Sequence, residues 1–300
     1  MGSKTKLIVR LTTLASFSAL VSFCGISLAS TESAFGYNVS AAGDWGCNSN
    51  TSTTVAKIYN KVPERVLGLG DYSYASTADC WFKIIQPIDS KMKIAIGNHD
   101  DSSTKLNQYL NHFGLSNEYY SFNYNNAHFL VLSTEMITSS SQYDFAKIDL
   151  EKAAANSNIE WIIVYMHKPM YTSPGAHPAE TTMRDMYHPL FDRYGVDLIL
   201  NGHNHWYERS YPIKYNKSSP STPIITSSSK GSYTDPQGEI FVTIGTGGQS
   251  LYHYTSKNSY IVTQYEGYGF IDINISGSTL VAKFYADSDG SVKDTFTIQK

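Results

Sequence analysis

The sequence is short of features that would place it in several common protein classes. Its 300 residues include only 3 cysteines, charged residues make up 16%, and the formal net charge is −3. So few cysteines exclude a small domain held together mainly by disulfides. The slightly negative charge supplies no broad basic surface for nucleic acid, so no nucleic-acid partner is expected. A hydrophobic content of 41% is enough for a sizeable core, in one large domain or two small ones.

The N-terminal region lacks the uninterrupted apolar stretch of a stable membrane span. Three basic residues precede a mostly apolar run at 11–29, but serines and threonines interrupt that run. A basic start, an apolar stretch and the ending Ser27-Leu28-Ala29 are typical of a secretory signal peptide. We predict a signal peptide at residues 1–29, no stable membrane span after its removal, and a secreted, periplasmic or cell-surface location. An uncleaved anchor is the alternative.

Two cysteines, Cys47 and Cys80, remain once the predicted signal peptide is removed. An even pair in an exported chain favours a disulfide, and both residues lie in neighbouring strand–helix units. A bridge across their 33-residue separation would stabilise the fold by about 3–4 kcal/mol. Two buried free thiols are the second interpretation, and a catalytic cysteine is a third.

Three short polar motifs recur early in the chain, each directly after a predicted strand. Each begins with glycine followed by a residue type that binds metals, namely Asp44, Asp71 and Asn98. Consecutive motifs lie 27 residues apart, which is about the length of one strand–helix–strand unit. The motifs therefore mark the ends of three successive strands.

Histidines provide two later motifs. His167 follows a predicted strand at 159–165, and Gly202-His203-Asn204-His205 follows another at 196–200. Imidazole is a common ligand for zinc, iron and copper, and two imidazoles at positions i and i+2 can face two ions. The histidine pair is weak evidence alone, but with the upstream motifs it indicates a metal centre.

In this order the five motifs resemble those of the calcineurin-like metallophosphoesterases. The forms Gly-Asp-x-x-Tyr at 70–74 and His-x-Tyr-Glu-Arg at 205–209 resemble the purple acid phosphatases in particular. The resemblance runs from about residue 38 to the end and implies one phosphoesterase domain at residues 30–300. Because the first motif begins 14 residues after Ala29, the resemblance is to the compact single-domain members.

The resemblance implies a centre of two metal ions. Seven residues of the expected types occupy the ligand positions: Asp44, Asp71, Tyr74, Asn98, His167, His203 and His205. Asp71 would bridge the ions, with Asp44, Tyr74 and His205 on the first ion and the remaining three on the second. A tyrosinate favours Fe(III) at the first position, while iron, zinc and manganese stay open for the second.

Two further histidines are implied to be catalytic. His99 resembles the outer-sphere histidine that contacts substrate oxygens. His177 resembles the residue that assists the leaving group, although Pro178 stands where some members have a second histidine.

The other histidines and several nearby charged residues are predicted to be structural. Surface or core positions are expected for His112, His128, His188 and His253, and solvated or capping positions for Asp100, Asp101 and Asp185. Glu208 and Arg209 are expected to support their loop rather than to touch substrate.

The apolar pattern predicts alternating strands and helices as far as residue 200 and mainly strands after it. The expected fold class is α/β (α+β), with two mixed β-sheets packed as a sandwich and flanked by α-helices, as the resemblance also implies. The segment Asn216–Gly238, rich in serine, proline, threonine and glycine, is predicted to be a long surface loop.

The resemblance implies a secreted acid phosphatase that hydrolyses a small phosphorylated substrate, a monoester, by in-line attack of a metal-bound hydroxide. A phosphodiesterase or nucleotide pyrophosphatase of the same superfamily is one alternative. A surface protein that binds metal without turnover is another. The physiological substrate and the oligomeric state stay open.

Overall fold

The computed structural model describes residues 36–300, so the predicted signal peptide at 1–29 lies outside the described residues. The α-helices within this range are α1 Ser49–Asn60, α2 Asp79–Ile85, α3 Ser103–Phe113, α4 Ser140–Ala154 and α5 Thr181–Tyr194. The strands within it are β1 Tyr37–Ala42, β2 Arg65–Gly68, β3 Met92–Ile94, β4 Tyr120–Tyr124, β5 Ala127–Val131, β6 Trp161–Tyr165, β7 Leu198–Asn201, β8 Tyr207–Lys214, β9 Ile224–Ile225, β10 Ser232–Thr234, β11 Glu239–Ile244, β12 Ile261–Tyr265, β13 Gly269–Ser276, β14 Thr279–Ala286 and β15 Val292–Gln299.

The strands form two mixed sheets. The first has the order β10-β15-β14-β13-β1-β2-β3, and the second has the order β12-β8-β11-β7-β6-β5-β4, with β9 paired to β8. In the first sheet β1, β2 and β3 run parallel; in the second, β5, β6, β7 and β11 run parallel. The remaining neighbours are antiparallel, except for the short parallel pair β10 and β15.

Helices cover the outer faces of both sheets, so the core has a layer between the sheets and further layers under the helices. Val55 and Ile58 of α1 and Trp81 of α2 are buried with the apolar side chains of the first sheet. Under α4 and α5, Leu150 and Phe191 are buried with the outward-facing residues of the second sheet. The predicted sandwich of two mixed sheets flanked by helices is confirmed.

Two parts of the C-terminal half differ from the sequence prediction. The segment Asn216–Gly238 is not loop throughout, because it contains the short strands β9 and β10. Strand β8 was not predicted, since its eight residues carry Glu208, Arg209 and a proline instead of a clear apolar alternation. Both charged residues are nevertheless buried, with 1% exposure each, and lie within this strand instead of the expected loop.

A disulfide joins Cys47 to Cys80, with their Cα atoms 5.7 Å apart. It connects the segment before α1 to the start of α2, and therefore ties together the loops that follow β1 and β2. Of the three interpretations of these cysteines, the disulfide is the one that the structure bears out.

Across residues 36–300, no helix has both the length and the apolar character needed to cross a membrane.

Candidate metal centre

The carboxyl ends of five strands meet at one edge of the sandwich. Strands β1, β2 and β3 of the first sheet end beside β6 and β7 of the second, and backbone hydrogen bonds join their loops. Gly43 N donates to Ile244 O, and Gly202 N donates to His167 O, each at 2.9 Å. Because parallel strands of both sheets end here, all seven predicted ligands are brought to one place.

Three of the predicted ligands converge on a fourth, Tyr74. Its hydroxyl oxygen lies 3.2 Å from Asp44 Oδ1, 3.2 Å from Asp71 Oδ2 and 3.2 Å from His205 Nε2. His205 Nε2 is also 3.3 Å from Asp44 Oδ1. These are the residues that the sequence assigned to the first ion.

The other predicted ligands converge on His167. Its Nε2 atom is 3.1 Å from Asn98 Oδ1, 3.2 Å from His203 Nδ1 and 3.2 Å from Asp71 Oδ2. Asp71 Oδ2 therefore belongs to both groups. The structure thus places this one carboxylate oxygen between the two sets of ligands, where a bridging ligand would stand.

The spacing and the chemistry of these atoms fit two metal ions. Donors bonded about 2.1 Å from one ion lie about 3.0–3.4 Å apart in octahedral or tetrahedral geometry, which matches the observed separations. Most of the converging atoms are electron-pair donors, and Asp44 and Asp71 are 0% and 1% exposed. So many lone pairs facing one another in a buried site need a cation between them.

The protonation of the site also reflects this crowding. Burial lowers the pKa of His167, but the Asp71 and Asp44 carboxylates outweigh it and raise that pKa to about 10. Burial and the same two carboxylates raise the pKa of Tyr74 far above its usual value. Burial and the neighbouring His167 lower the pKa of His203 to about 2, so this imidazole is neutral and offers a lone pair.

Backbone carbonyl groups orient two of the imidazoles. His167 Nδ1 lies 2.8 Å from Leu69 O, and His205 Nδ1 lies 2.6 Å from Ser250 O. A carbonyl oxygen only accepts, so Nδ1 of each ring carries a proton and Nε2 is directed at the ligand cluster.

Strained backbone accompanies the ligands. Asp44, Asp71, Tyr74 and His203 have φ values of 58°, 55°, 52° and 72°. The left-handed region is unfavourable for residues other than glycine and persists only where the surroundings enforce it. Glycine is required next to this loop, since a Cβ on Gly97 would lie 2.2 Å from Asp71 Oδ1.

Asp100 supplies part of that enforcement, and its predicted solvated or capping role is wrong. Its side chain is fully buried. Oδ2 accepts from Asp71 N at 2.7 Å and from Gly97 N at 3.0 Å, while Oδ1 accepts from Tyr72 N at 3.0 Å. One carboxylate therefore fixes the two loops that carry Asp71 and Asn98.

The two predicted catalytic histidines lie at the open side of the ligand cluster. The His99 side chain is 52% exposed, and its Nε2 atom is 4.0 Å from Asp71 Oδ2. The His177 ring stacks on the ring of His203, with centroids 4.3 Å apart. Burial and the nearby His205 lower the pKa of His177.

The structure adds Tyr252, which sequence reasoning did not single out. Its ring stacks on His205 with centroids 3.9 Å apart and meets the His177 ring edge-on at 5.4 Å. Because its phenol lies beside the cluster, burial and the Asp44 and Asp71 carboxylates raise the pKa of Tyr252. Nothing in the local sequence pattern marks it, because it lies in the irregular segment between β11 and β12.

Comparisons with known proteins agree with this geometry. A family model described as calcineurin-like phosphoesterase matches residues 38–207. The chain is 28% identical over 263 residues to purple acid phosphatase 15 of Arabidopsis thaliana, covering 73% of this chain and 46% of that protein. It is 28% identical over 248 residues to phosphoenolpyruvate phosphatase of Allium cepa, covering 71% and 49%. The chain thus spans about half the length of the curated relatives it matches.

Solved structures show the same fold. A purple acid phosphatase from yellow lupin (Lupinus luteus) seeds has a TM-score of 0.79 at 23% identity, covering 89% of this chain and 54% of that chain. The Plasmodium protein GAP50, described as the anchor in the inner membrane complex, has a TM-score of 0.68 at 17% identity, covering 88% and 89%. At these identities the likeness concerns the fold alone.

Proposed function

Because the chain belongs to the calcineurin-like phosphoesterase family, we propose that it is an exported acid phosphatase that hydrolyses small phosphate monoesters. The observation that carries the proposal is the position of Asp71 Oδ2, which lies 3.2 Å from both Tyr74 Oη and His167 Nε2. Purple acid phosphatases among its relatives support the substrate class. In this proposal residues 1–29 are the removable signal peptide and residues 30–300 are the phosphoesterase domain.

Each residue of the centre has a proposed part in this activity. Asp44, Tyr74 and His205 would hold the first ion, Asn98, His167 and His203 the second, and Asp71 both. Two ions held in this way supply an acidified water and neutralise the charge of the phosphoryl oxygens. Because the side-chain phenol of Tyr74 is held beside two carboxylates, a strongly charged ion such as Fe(III) is proposed for its site. The second ion would be iron, zinc or manganese.

Two side chains are proposed to act on the substrate itself, and a third to position their neighbours. His99 projects its ring from the loop after β3 and would donate to a phosphoryl oxygen. His177 would supply the proton that the leaving oxygen needs, and Tyr252 would hold the His177 and His205 rings in place by stacking. All three lie on the side of the cluster that is open to solvent.

Tyr74→Phe is expected to remove the visible absorption of the iron-loaded protein. A tyrosinate bound to Fe(III) gives the purple acid phosphatases their colour, and phenylalanine keeps the ring but has no oxygen to bind the ion. The visible spectrum checks this, with Tyr59→Phe, on the exposed face of α1, as the matched control. An unchanged band in Tyr74→Phe would exclude Tyr74 as the ligand, and a colourless wild type with both sites filled would point to zinc or manganese.

His177→Ala is expected to lower kcat by about 100-fold for an alkyl phosphate, because a positioned general acid contributes typically 10²–10⁴-fold. The loss should be only a few-fold for 4-nitrophenyl phosphate, since nitrophenolate leaves without a proton. Metal content should be unchanged. His253→Ala is the control, because the His253 side chain is 84% exposed. Equal losses for both esters would contradict the proposed general acid.

Two other functions are alternatives to the monoesterase activity. The same two-ion centre serves phosphodiesterases, so a strong preference for diesters in a substrate panel would replace the monoesterase proposal. GAP50, which has a similar fold, is described as an anchor, and that description motivates a role without turnover. The complete ligand set favours catalysis, because a protein released from catalysis has no need to keep seven converging ligands.

Export is supported by the disulfide as well as by the predicted signal peptide. Disulfides persist in oxidising compartments and are rare in the cytosol. The Cys47–Cys80 bridge therefore supports a secreted, periplasmic or cell-surface location.

A further inference from the structure

A second cluster of metal-binding side chains lies away from the centre just described. His188 and Asp192 are one turn apart on α5, and Glu239 is the first residue of β11. His188 Nε2 is 3.1 Å from Glu239 Oε2 and 3.9 Å from Asp192 Oδ1. One ligand atom from each residue lies within 4.8 Å of the other two.

This cluster lies at the amino-terminal ends of the parallel strands of the second sheet, whereas the catalytic residues lie at their carboxyl ends. Glu239 begins β11 and Asp192 precedes β7, whereas His203 and His205 follow the end of β7. Strand β11 has six residues, so its two ends are roughly 17–20 Å apart at about 3.3 Å per residue. The cluster therefore shares no ligand with the proposed catalytic centre.

Two residues of the cluster are buried, the Asp192 side chain is 22% exposed, and the polar atoms are incompletely paired. His188 is 0% exposed and Glu239 is 1% exposed. Asp192 Oδ2 accepts from Tyr215 N at 2.9 Å, but Asp192 Oδ1 is buried without a hydrogen-bond partner. A buried carboxylate oxygen without a partner is costly, so a further positive group beside it, in addition to the nearby Lys214, would stabilise it.

The histidine does not supply that charge. Burial lowers the pKa of His188 to about 3, and burial raises the pKa of Glu239 and of Asp192. The His188 Nδ1 atom is 2.8 Å from the Tyr171 hydroxyl. When Nδ1 donates to that oxygen, Nε2 presents its lone pair to the two carboxylates, which is the arrangement of a metal-binding histidine held by a supporting hydrogen bond.

We propose that His188, Asp192 and Glu239 bind one divalent transition-metal ion, with Zn²⁺ the best match to one imidazole and two carboxylates. The ion and the two carboxylates sum to zero charge, which is what a buried site needs. A cavity of about 250 Å³ lined by Asp192, Glu239, Lys214 and Gln237 provides the path for entry. The ion would tie α5 to β11 and would be structural.

The test counts zinc in chains whose catalytic centre has been taken apart. In an Asp71→Asn/His203→Ala chain, isothermal titration with Zn²⁺ should show one equivalent per chain. Adding Asp192→Asn should remove that equivalent, whereas adding Asp144→Asn, on the exposed face of α4, should not. Because this count does not depend on phosphatase activity, it stands or falls separately from the proposed function.

Stability and activity provide the second measurement. Zinc in large excess over its dissociation constant should raise the Tm of the Asp71→Asn/His203→Ala chain by roughly 5–10 °C, and the rise should vanish with Asp192→Asn. Asp192→Asn alone should keep wild-type phosphate release, which shows that it folds. Equal zinc binding with and without Asp192→Asn would overturn the proposal. The absence of bound zinc in both chains would overturn it too, because a proton on Glu239 would then supply the positive charge.

Discussion

Asp71→Asn is expected to abolish phosphate release, with a loss of about 10⁴-fold or more in kcat. Asp71 Oδ2 lies 3.2 Å from Tyr74 Oη in one ligand group and 3.2 Å from His167 Nε2 in the other. Asparagine has the same shape but no charge, and its amide N–H₂ would face cations. Removing one member of a catalytic group that acts as a unit costs about as much as removing several.

The fold should survive this substitution, because Asp71 Oδ1 only accepts from His99 N at 2.8 Å and the amide oxygen of asparagine can do the same. Asp289→Asn is the matched control, since that side chain is 54% exposed in the turn before β15. Metal content and steady-state phosphate release from a monoester check the prediction. Unchanged turnover in a folded, metal-depleted Asp71→Asn protein would refute a two-ion mechanism.

Replacing Cys47 and Cys80 by alanine is expected to lower the free energy of unfolding by about 3–4 kcal/mol. The bridge closes a loop with a sequence separation of 33 residues. Removing it raises the conformational entropy of the unfolded chain, and this lowers the free energy of unfolding by the stated amount. At about 2–4 °C per kcal/mol, the Tm should fall by roughly 6–16 °C. Metal affinity should weaken too, because Cys47 lies three residues after Asp44.

Chemical denaturation of metal-free protein measures this effect without the added stability that bound ions provide. A thiol reductant should lower the stability of the wild type to that of the Cys47→Ala/Cys80→Ala protein and leave the double variant unchanged. Equal stability of the two proteins under oxidising conditions would show that the bridge contributes nothing.

Much of the fold could be predicted because local and global preferences agree. The strand predicted at 159–165 contains β6, Trp161–Tyr165, and the strand predicted at 196–200 overlaps β7, Leu198–Asn201, because both are short apolar runs. Strand β8 could not be predicted, since Glu208 and Arg209 become buried only through distant partners. Glu208 Oε1 accepts from Ser173 N at 3.1 Å, and Arg209 Nε donates to Asp294 at 2.6 Å.

In the candidate site, too, local sequence predicts some residues, while the roles of others depend on partners that are distant in the sequence. The convergence of the seven predicted ligands could be expected from the order of their motifs, because each motif follows a strand that is recognisable by itself. Asp100 was misjudged because its partners, Asp71 N and Tyr72 N, are 29 and 28 residues away in the sequence. Tyr252 was missed for a similar reason, as only the folded chain brings its ring onto His205.

In the proposed function, this chain turns over phosphate monoesters at a centre of two metal ions. The most direct test measures phosphate release by the purified chain from residue 30, with metal content determined on the same sample. We predict release that a chelator abolishes and that added iron with zinc or manganese restores. A folded protein with two ions bound at these seven residues and no release from monoesters or diesters would contradict the claim and leave a metal-binding role without turnover.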